Sequence, residues 1–182
     1  MNIVYHEKGK VFHLFNDTIS YIFMVLPHGG LGSLYYGKVL RDHEGFEHLF
    51  ERVHRGMTAC VFADCRDYSL DAIRQELPTY GSSDFRRPAL NVLQENGSRI
   101  LDMQYAGYRI VDGKPKLAGL PATYVESADE AKTLIVEVQD TLTGLRAELL
   151  YTIFATGGAL ARSVRYINDG TEVLHLQKVM SM

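Results

Sequence analysis

The sequence predicts an all-β protein, an antiparallel β-sandwich of the supersandwich type with a long functional loop. Short segments of β-branched and aromatic residues alternate with polar residues, and glycine, asparagine, aspartate or proline separates them. Helical stretches of about 10 to 15 residues, which would connect parallel strands, are missing from the pattern. The 182 residues are 46% hydrophobic, which is enough apolar material for one well-packed domain.

The N-terminal part of the chain predicts a series of hairpins. The strand patterns cover residues 2–6, 11–15, 18–26 and 31–38. The short turns between them are rich in glycine, asparagine and proline, and consecutive strands joined by tight turns form antiparallel pairs.

The last third of the chain repeats this pattern. Strands are predicted at 133–140, 146–154, 160–168 and 173–182. In the first of them Leu134, Val136 and Val138 face one way, while Glu137 and Gln139 face the other. One face of this sheet is therefore expected to be buried and the other wetter, which predicts a sandwich of two antiparallel sheets.

The alternation fails between residues 41 and 88, where charged residues and histidines accumulate. Phe46, Leu49, Phe50 and Val53 are spaced at i, i+3, i+4 and i+7, which predicts a short amphipathic helix packed on a sheet. Loops of this length inside a compact domain usually serve a function, so we expect this one to carry the binding chemistry.

Charge and hydropathy exclude several classes of partner. The 19 basic and 22 acidic residues give a net charge of -3, which disfavours nucleic acid or an anionic membrane as partner. The longest apolar run, residues 22–27, is too short to span a bilayer. A secretion signal is not recognisable at the start, and Cys60 and Cys65 cannot form a disulfide framework, so we predict a cytoplasmic protein.

Metal binding is not expected from the spacing of possible ligands in the central segment. His43, His48, His54, Cys60 and Cys65 could each ligate zinc. Structural zinc sites usually pair ligands two to four residues apart, and this set does not follow that spacing. We therefore predict no metal and no cofactor, with surface histidines and two small buried thiols.

Catalytic carboxylates are not evident either. Three pairs of acidic residues lie close in sequence: Asp64 with Asp67, Asp71 with Glu76, and Asp129 with Glu130. They could supply the two carboxylates of a glycosidase, although solvated loop acids are far commoner. With no Ser-His-Asp or Cys-His signature, the chain by itself shows no self-contained active site.

The central loop does carry groups that suit a sugar. The guanidinium donors are Arg66, Arg86 and Arg87, and the carboxylate acceptors are Asp67 and Asp84. The aromatic rings are Tyr68, Tyr80 and Phe85. Such groups pair with vicinal hydroxyls and cover the apolar face of a sugar ring. A loop braced by salt bridges explains the same residues equally well.

Five motifs carry a resemblance to a known family. They are LYYGK at 34–38, SLD at 69–71, QELPTYG at 75–81, DFRRPA at 84–89 and GLPATYV at 119–125. With these motifs the chain resembles the N-terminal domain of family 36 α-galactosidases from its first strand to its last.

The resemblance implies a domain, residues 1–182, that precedes a (β/α)8 catalytic barrel and a smaller β domain. The parent enzyme would hydrolyse terminal α-1,6-linked galactose in melibiose and raffinose-type sugars with retention, as a homotetramer. Retaining glycosidases use two carboxyl groups about 5 to 5.5 Å apart. The resemblance places both in the barrel, so this chain alone is predicted to be inactive, with no catalytic residue of its own.

The resemblance also implies substrate-binding residues. Arg66 matches the arginine that precedes the Ser-Leu-Asp turn in the family's loop at the barrel mouth, where neighbouring subunits also meet. His54 falls at the preceding sugar-contacting position, where the family has an acid. Asp84 and Arg86 are expected to structure the loop, because an Asp-x-Arg on a strand leading into Pro88 places both side chains on one face.

Two other functions are compatible with the sequence. A free-standing carbohydrate-binding module would need its own sugar platform; the chain has no Trp, although its 11 Tyr could stack on a sugar. A purely structural assembly domain would instead self-associate without binding sugar.

Overall fold

A computed structural model describes residues 1–52, 62–65, 67–81, 84–119 and 122–181. Within these ranges the regular structure consists of strands and three short 3-10 helices. The strands are β1 (Asn2–His6), β2 (Val11–Phe15), β3 (Ile19–Val25), β4 (Leu31–Lys38), β5 (Leu90–Leu93), β6 (Gln104–Asp112), β7 (Ala131–Gln139), β8 (Leu145–Phe154), β9 (Leu160–Asn168) and β10 (His175–Val179). The 3-10 helices are Pro27–Gly29, Phe46–Leu49 and Ala128–Glu130.

The strands form two four-stranded meanders and a two-stranded ribbon. The first sheet has the order β1-β2-β3-β4, the second β6-β7-β8-β9, and β10 pairs with β5. Every pair of neighbouring strands is antiparallel. The predicted fold class, an all-β antiparallel sandwich, is thus confirmed.

The two sheets enclose the main hydrophobic core. Alternate residues of β3, among them Phe23, point into this core, where the Phe23 ring stacks on Tyr151 of β8 with centroids 4.8 Å apart. Leu134, Val136 and Val138 of β7 are buried in the same core, as their alternation predicts. Burying such side chains stabilises the fold by about 1.5–3 kcal/mol each.

The first sheet is buried on its other face as well. Ile22 and Met24 of β3 belong to a second hydrophobic cluster, which Phe46, Tyr68 and Ile73 of the central segment complete. All residues of β3 are therefore buried, and its continuous apolar run reflects coverage on both faces. The central segment is held against the sheet by this cluster.

Several boundaries differ from the sequence prediction. The observed β10, His175–Val179, is shorter than the predicted 173–182, and β5 and β6 were not predicted. In place of the predicted amphipathic helix, a single 3-10 turn covers Phe46–Leu49, and Val53, the last residue of the pattern, lies outside the described residues. The turn starts after Gly45, which has a φ of 96°, and ends at Phe50, whose backbone is extended.

Among the described residues, no helix has the length and apolar character needed to cross a membrane.

Candidate functional site

The substrate-binding residues that the sequence predicts, Arg66 and His54, lie outside the described residues, as does Cys60. Asp84 and Arg86, predicted to structure the loop, lie within them. They do not sit on a regular strand, because Asp84 forms only an isolated bridge with Gly81. This part of the strand prediction was wrong, and the pairing of the two side chains has another geometric basis.

The Asp84 carboxylate is 1% exposed and accepts four hydrogen bonds. Its Oδ1 accepts from the backbone N–H of Arg86 at 3.1 Å and from Arg86 Nε at 2.9 Å. Its Oδ2 accepts from Arg86 Nη2 at 2.9 Å and from Gln75 Nε2 at 2.7 Å. The hydrogen bonds to Asp84 raise the pKa of the Arg86 guanidinium, so the guanidinium stays protonated.

Arg86 also reaches the preceding part of the loop. Its Nη2 donates to the carbonyl oxygens of Leu70 at 2.7 Å and Ile73 at 3.0 Å. The guanidinium thus joins the chain around residues 70–75 to the chain around residues 84–86. The planar guanidinium of arginine can contact the Asp84 carboxylate and these carbonyl oxygens at the same time. A lysine ammonium could not reproduce this geometry.

A second polar cluster lies between the two sheets. Glu76, 2% exposed, accepts hydrogen bonds from Tyr21 Oη at 2.8 Å, Tyr151 Oη at 2.9 Å and Arg162 Nη1 at 3.1 Å. Arg162 Nη2 donates to the Glu76 carbonyl oxygen, and the guanidinium carbon lies 4.9 Å from the centroid of the Tyr151 ring. Burial and the nearby Glu76 carboxylate raise the pKa of both tyrosines, so they remain neutral donors.

This cluster ties the central segment to both sheets, since Tyr21 is on β3, Tyr151 on β8 and Arg162 on β9. Because its donors surround the carboxylate, Glu76 is not available as a catalytic acid or base. In another acidic pair, Glu130 forms a capping box with Ser127 at a 3-10 helix, and Asp129 accepts a hydrogen bond from the Ser127 hydroxyl. The contacts of Glu76, Asp129 and Glu130 are therefore structural.

The aromatic residues of the loop differ in their availability to a ligand. Tyr68 is 1% exposed and packs in the second hydrophobic cluster. Phe85 is 67% exposed, and its ring lies edge-on to Tyr80 with centroids 5.5 Å apart. Of these three rings, Phe85 is the one that presents most of its surface to a ligand or a neighbouring domain.

The ligand set considered in the sequence does not converge within the described residues. His43 and His48 are exposed and make local contacts, with His48 Nδ1 2.6 Å from the Gly45 carbonyl oxygen. Cys65 is only half-buried, with its Sγ 3.2 Å from Asp67 Oδ1, and its pKa is raised by desolvation and by Asp67. The prediction of a buried thiol at Cys65 was therefore wrong.

The fold instead gathers two other histidines around an aspartate. Asp42 Oδ1 lies 3.0 Å from His6 Nε2 and 2.7 Å from His13 Nδ1. Both imidazoles are buried, His13 completely, while the Asp42 side chain is 31% exposed. Desolvation lowers the pKa of His13 even though Asp42 opposes the shift, and the histidine contacts lower the pKa of Asp42 despite its partial burial.

Comparison with known proteins identifies the family. The profile of the glycosyl hydrolase family 36 N-terminal domain matches residues 29–182. The chain belongs to this family. It is 41% identical over 182 residues to alpha-galactosidase AgaA of Geobacillus stearothermophilus, covering 100% of this chain and 25% of the relative. It is 37% identical over 181 residues to alpha-galactosidase Mel36A of Lactobacillus acidophilus, covering 99% of this chain and 25% of that protein.

Solved structures show the same fold. The chain matches alpha-galactosidase AgaB of Geobacillus stearothermophilus with a TM-score of 0.92 and 40% identity, over 100% of this chain and 24% of that one. The alpha-galactosidase of Lactobacillus brevis matches with a TM-score of 0.93 and 34% identity, over 98% of this chain and 24% of the other. A variant of AgaA was solved in complex with raffinose; it matches with a TM-score of 0.90 and 42% identity, over 95% of this chain and 24% of that one. The family 36 domain described here therefore spans about a quarter of the length of these relatives.

Proposed function

We propose that residues 1–182 are the non-catalytic N-terminal β-sandwich of a retaining α-galactosidase. The enzyme would release terminal α-1,6-linked galactose from melibiose and raffinose-type sugars. The observation that carries this proposal is the likeness of the whole chain to α-galactosidases of which it spans only a quarter. A retaining mechanism needs a pair of carboxyl groups, and we assign that pair to a catalytic barrel outside this chain.

The domain's contribution to the active site, in this proposal, is a loop that binds substrate through Arg66 and, at a second position, His54. Residues that follow Arg66 in the sequence support this role, because they are anchored to the domain. Tyr68 is buried two residues after Arg66, and the Asp84–Arg86 pair joins residues 84–86 to residues 70–75. An arginine guanidinium can donate two parallel hydrogen bonds to vicinal sugar hydroxyls.

The proposed partners, besides the α-galactoside, are the protein's own barrel and neighbouring subunits in a homotetramer. Apolar side chains near the end of the described chain support a covering partner, since Leu176 is 50% exposed and Met180 is 43% exposed. A cytoplasmic location remains a prediction from the sequence.

Substitution of Arg66 tests the role of the loop. In the full-length enzyme, Arg66→Ala should lower kcat/KM for melibiose by about tenfold or more, because a charged hydrogen bond to substrate is lost. Arg99→Ala is the matched control, since Arg99 is an exposed arginine on a different loop. Unchanged kinetics in Arg66→Ala would contradict the substrate contact and leave the family assignment intact.

A further inference from the structure

We propose that His6, His13 and Asp42 form a binding site for a divalent transition metal, best suited to Zn²⁺, on the outer face of the first sheet. The three ligand atoms lie within 4.8 Å of one another, and they come from β1, β2 and the segment after β4. The site is separate from the proposed substrate contacts, because it uses neither Arg66 nor His54.

The register of the first sheet explains why the two histidines meet. His6 pairs with Val11, and His13 pairs with Val4, so the histidines are diagonal neighbours across β1 and β2. Side chains two positions apart on a strand share a face, so His6 and His13 both project from the outer face. The central segment crosses this face and brings Asp42 over both imidazoles, 36 and 29 residues away in sequence.

Each imidazole has one nitrogen at the common centre and the other on an orienting partner. His6 Nδ1 lies 3.3 Å from Glu44 Oε1, while His6 Nε2 faces Asp42. His13 Nε2 lies 2.9 Å from Ser20 Oγ, which also accepts the backbone N–H of Leu40 at 2.9 Å. Histidines that bind metals usually donate their second N–H to a carboxylate or another oxygen acceptor, which orients the ring.

The donor set favours zinc over the hard cations. Two imidazole nitrogens and one carboxylate oxygen suit Zn²⁺, whereas Mg²⁺ and Ca²⁺ prefer shells composed of oxygen. Ligand atoms in a tetrahedral zinc site stand about 3.3 Å apart, so Asp42 Oδ1 needs to move away from His6 Nε2 by about 0.3 Å and from His13 Nδ1 by about 0.6 Å. The partly exposed Asp42 can make that adjustment, and its exposed side gives the ion a route from solvent.

A bound ion would fasten the start of the central segment to the first sheet. Phe46 follows directly and packs edge-on against His13, with ring centroids 5.0 Å apart. The ion would thus have a structural effect, and a water would complete its coordination.

Isothermal titration of the protein with Zn²⁺, after treatment with a chelator and removal of any affinity tag, tests the proposal. We expect saturable binding with equimolar stoichiometry, a higher thermal midpoint in the presence of Zn²⁺, and no comparable heat with Mg²⁺. Asp42→Asn and His6→Gln should each weaken binding by at least about 100-fold, and Glu44→Gln, which removes an orienting contact, by about 10-fold. His48→Gln, which removes an exposed histidine of the same segment, should bind like the wild type.

Far-UV circular dichroism at a temperature well below the unfolding midpoint checks that each variant is folded. Co²⁺ provides a second readout, because four-coordinate Co²⁺ absorbs visible light strongly and the wild type should show these bands while Asp42→Asn should not. The proposal is overturned if the wild type releases no heat with Zn²⁺, or if Asp42→Asn binds as well as the wild type. In either case the cluster is a hydrogen-bonded network without a metal function.

Discussion

Replacing Glu76 with glutamine is expected to destabilise the protein severely. The change preserves the size of the side chain and removes its charge, while the Arg162 guanidinium stays in the interior. The two side chains are 1% and 6% exposed, and Glu76 Oε2 lies 3.1 Å from Arg162 Nη1. The glutamine oxygen can still accept hydrogen bonds from Tyr21 and Tyr151, so the uncompensated guanidinium dominates the loss.

The expected magnitude follows from this burial. Removing one partner of a buried ion pair typically costs about 3–5 kcal/mol, because the other charge remains away from water without compensation. We expect that loss for Glu76→Gln and a similar one for Arg162→Met. In the double variant neither charge remains, so its loss should be smaller than the sum of the single losses by about 2–3 kcal/mol.

Urea denaturation followed by far-UV circular dichroism measures these free energies of unfolding; the chain has no Trp for a fluorescence signal. Asp112→Asn is the matched control. The Lys132–Asp112 pair joins β6 and β7 at 3.8 Å, with side chains 37% and 74% exposed. Such a surface pair should change the free energy of unfolding by less than about 1 kcal/mol.

A free energy of unfolding for Glu76→Gln within about 0.5 kcal/mol of the wild type, a change ordinary for surface sites, would show that the Arg162 charge is not left uncompensated. Strict additivity of the two single losses in the double variant would also count against an uncompensated charge. Either result would mean that water reaches the charges between the sheets, and that the cluster does not tie the central segment to the sandwich.

The other predictions concern the loop brace and a close backbone contact. Arg86→Ala should lower the free energy of unfolding by about 1.5–3 kcal/mol, because the buried Asp84 carboxylate loses its charged donors; Arg86→Lys should recover only part of this in the same urea assay. Gly144→Ala should cost more than about 1 kcal/mol, since Gly144 has a φ of 73° and its Cβ would lie 2.6 Å from the backbone of Gly170. Gly158→Ala meets only contacts of 3.7 Å, so its thermal midpoint should stay near that of the wild type, and equal effects at the two glycines would contradict the geometric reasoning.

Much of the fold could be predicted because apolar and polar residues alternate within its short strands. The predicted bounds of β1, β2, β4 and β9 agree with the structure, since each strand ends at a recognisable turn. The four-residue β5 is too short to give a periodic signal, and its partner β10 lies about eighty residues later in the chain. Pairings at such separation depend on packing of the whole domain, which local patterns do not report.

The candidate site likewise combines local contacts that the sequence predicts with distant contacts that it does not. The Asp84–Arg86 contact spans two residues and could be anticipated from the sequence. The Glu76–Arg162 pair spans 86 residues, and its residues meet because the chain before Glu76 pairs with β4, where the Glu76 N–H donates to the Leu31 carbonyl oxygen. His6 and His13 had no recognisable ligand spacing, because a metal motif on two strands depends on register. A search for buried polar residues on adjacent predicted strands could have indicated them.

Our proposal is that this domain serves an α-galactosidase whose catalytic carboxylates lie outside residues 1–182. Its most direct test is melibiose hydrolysis by the product of the complete reading frame, compared with residues 1–182 alone. The complete product should release galactose, and the isolated domain should release none. Turnover by residues 1–182 would show that the catalytic groups lie in this domain. A complete product that binds melibiose without hydrolysing it would rule out the hydrolase and favour a carbohydrate-binding module.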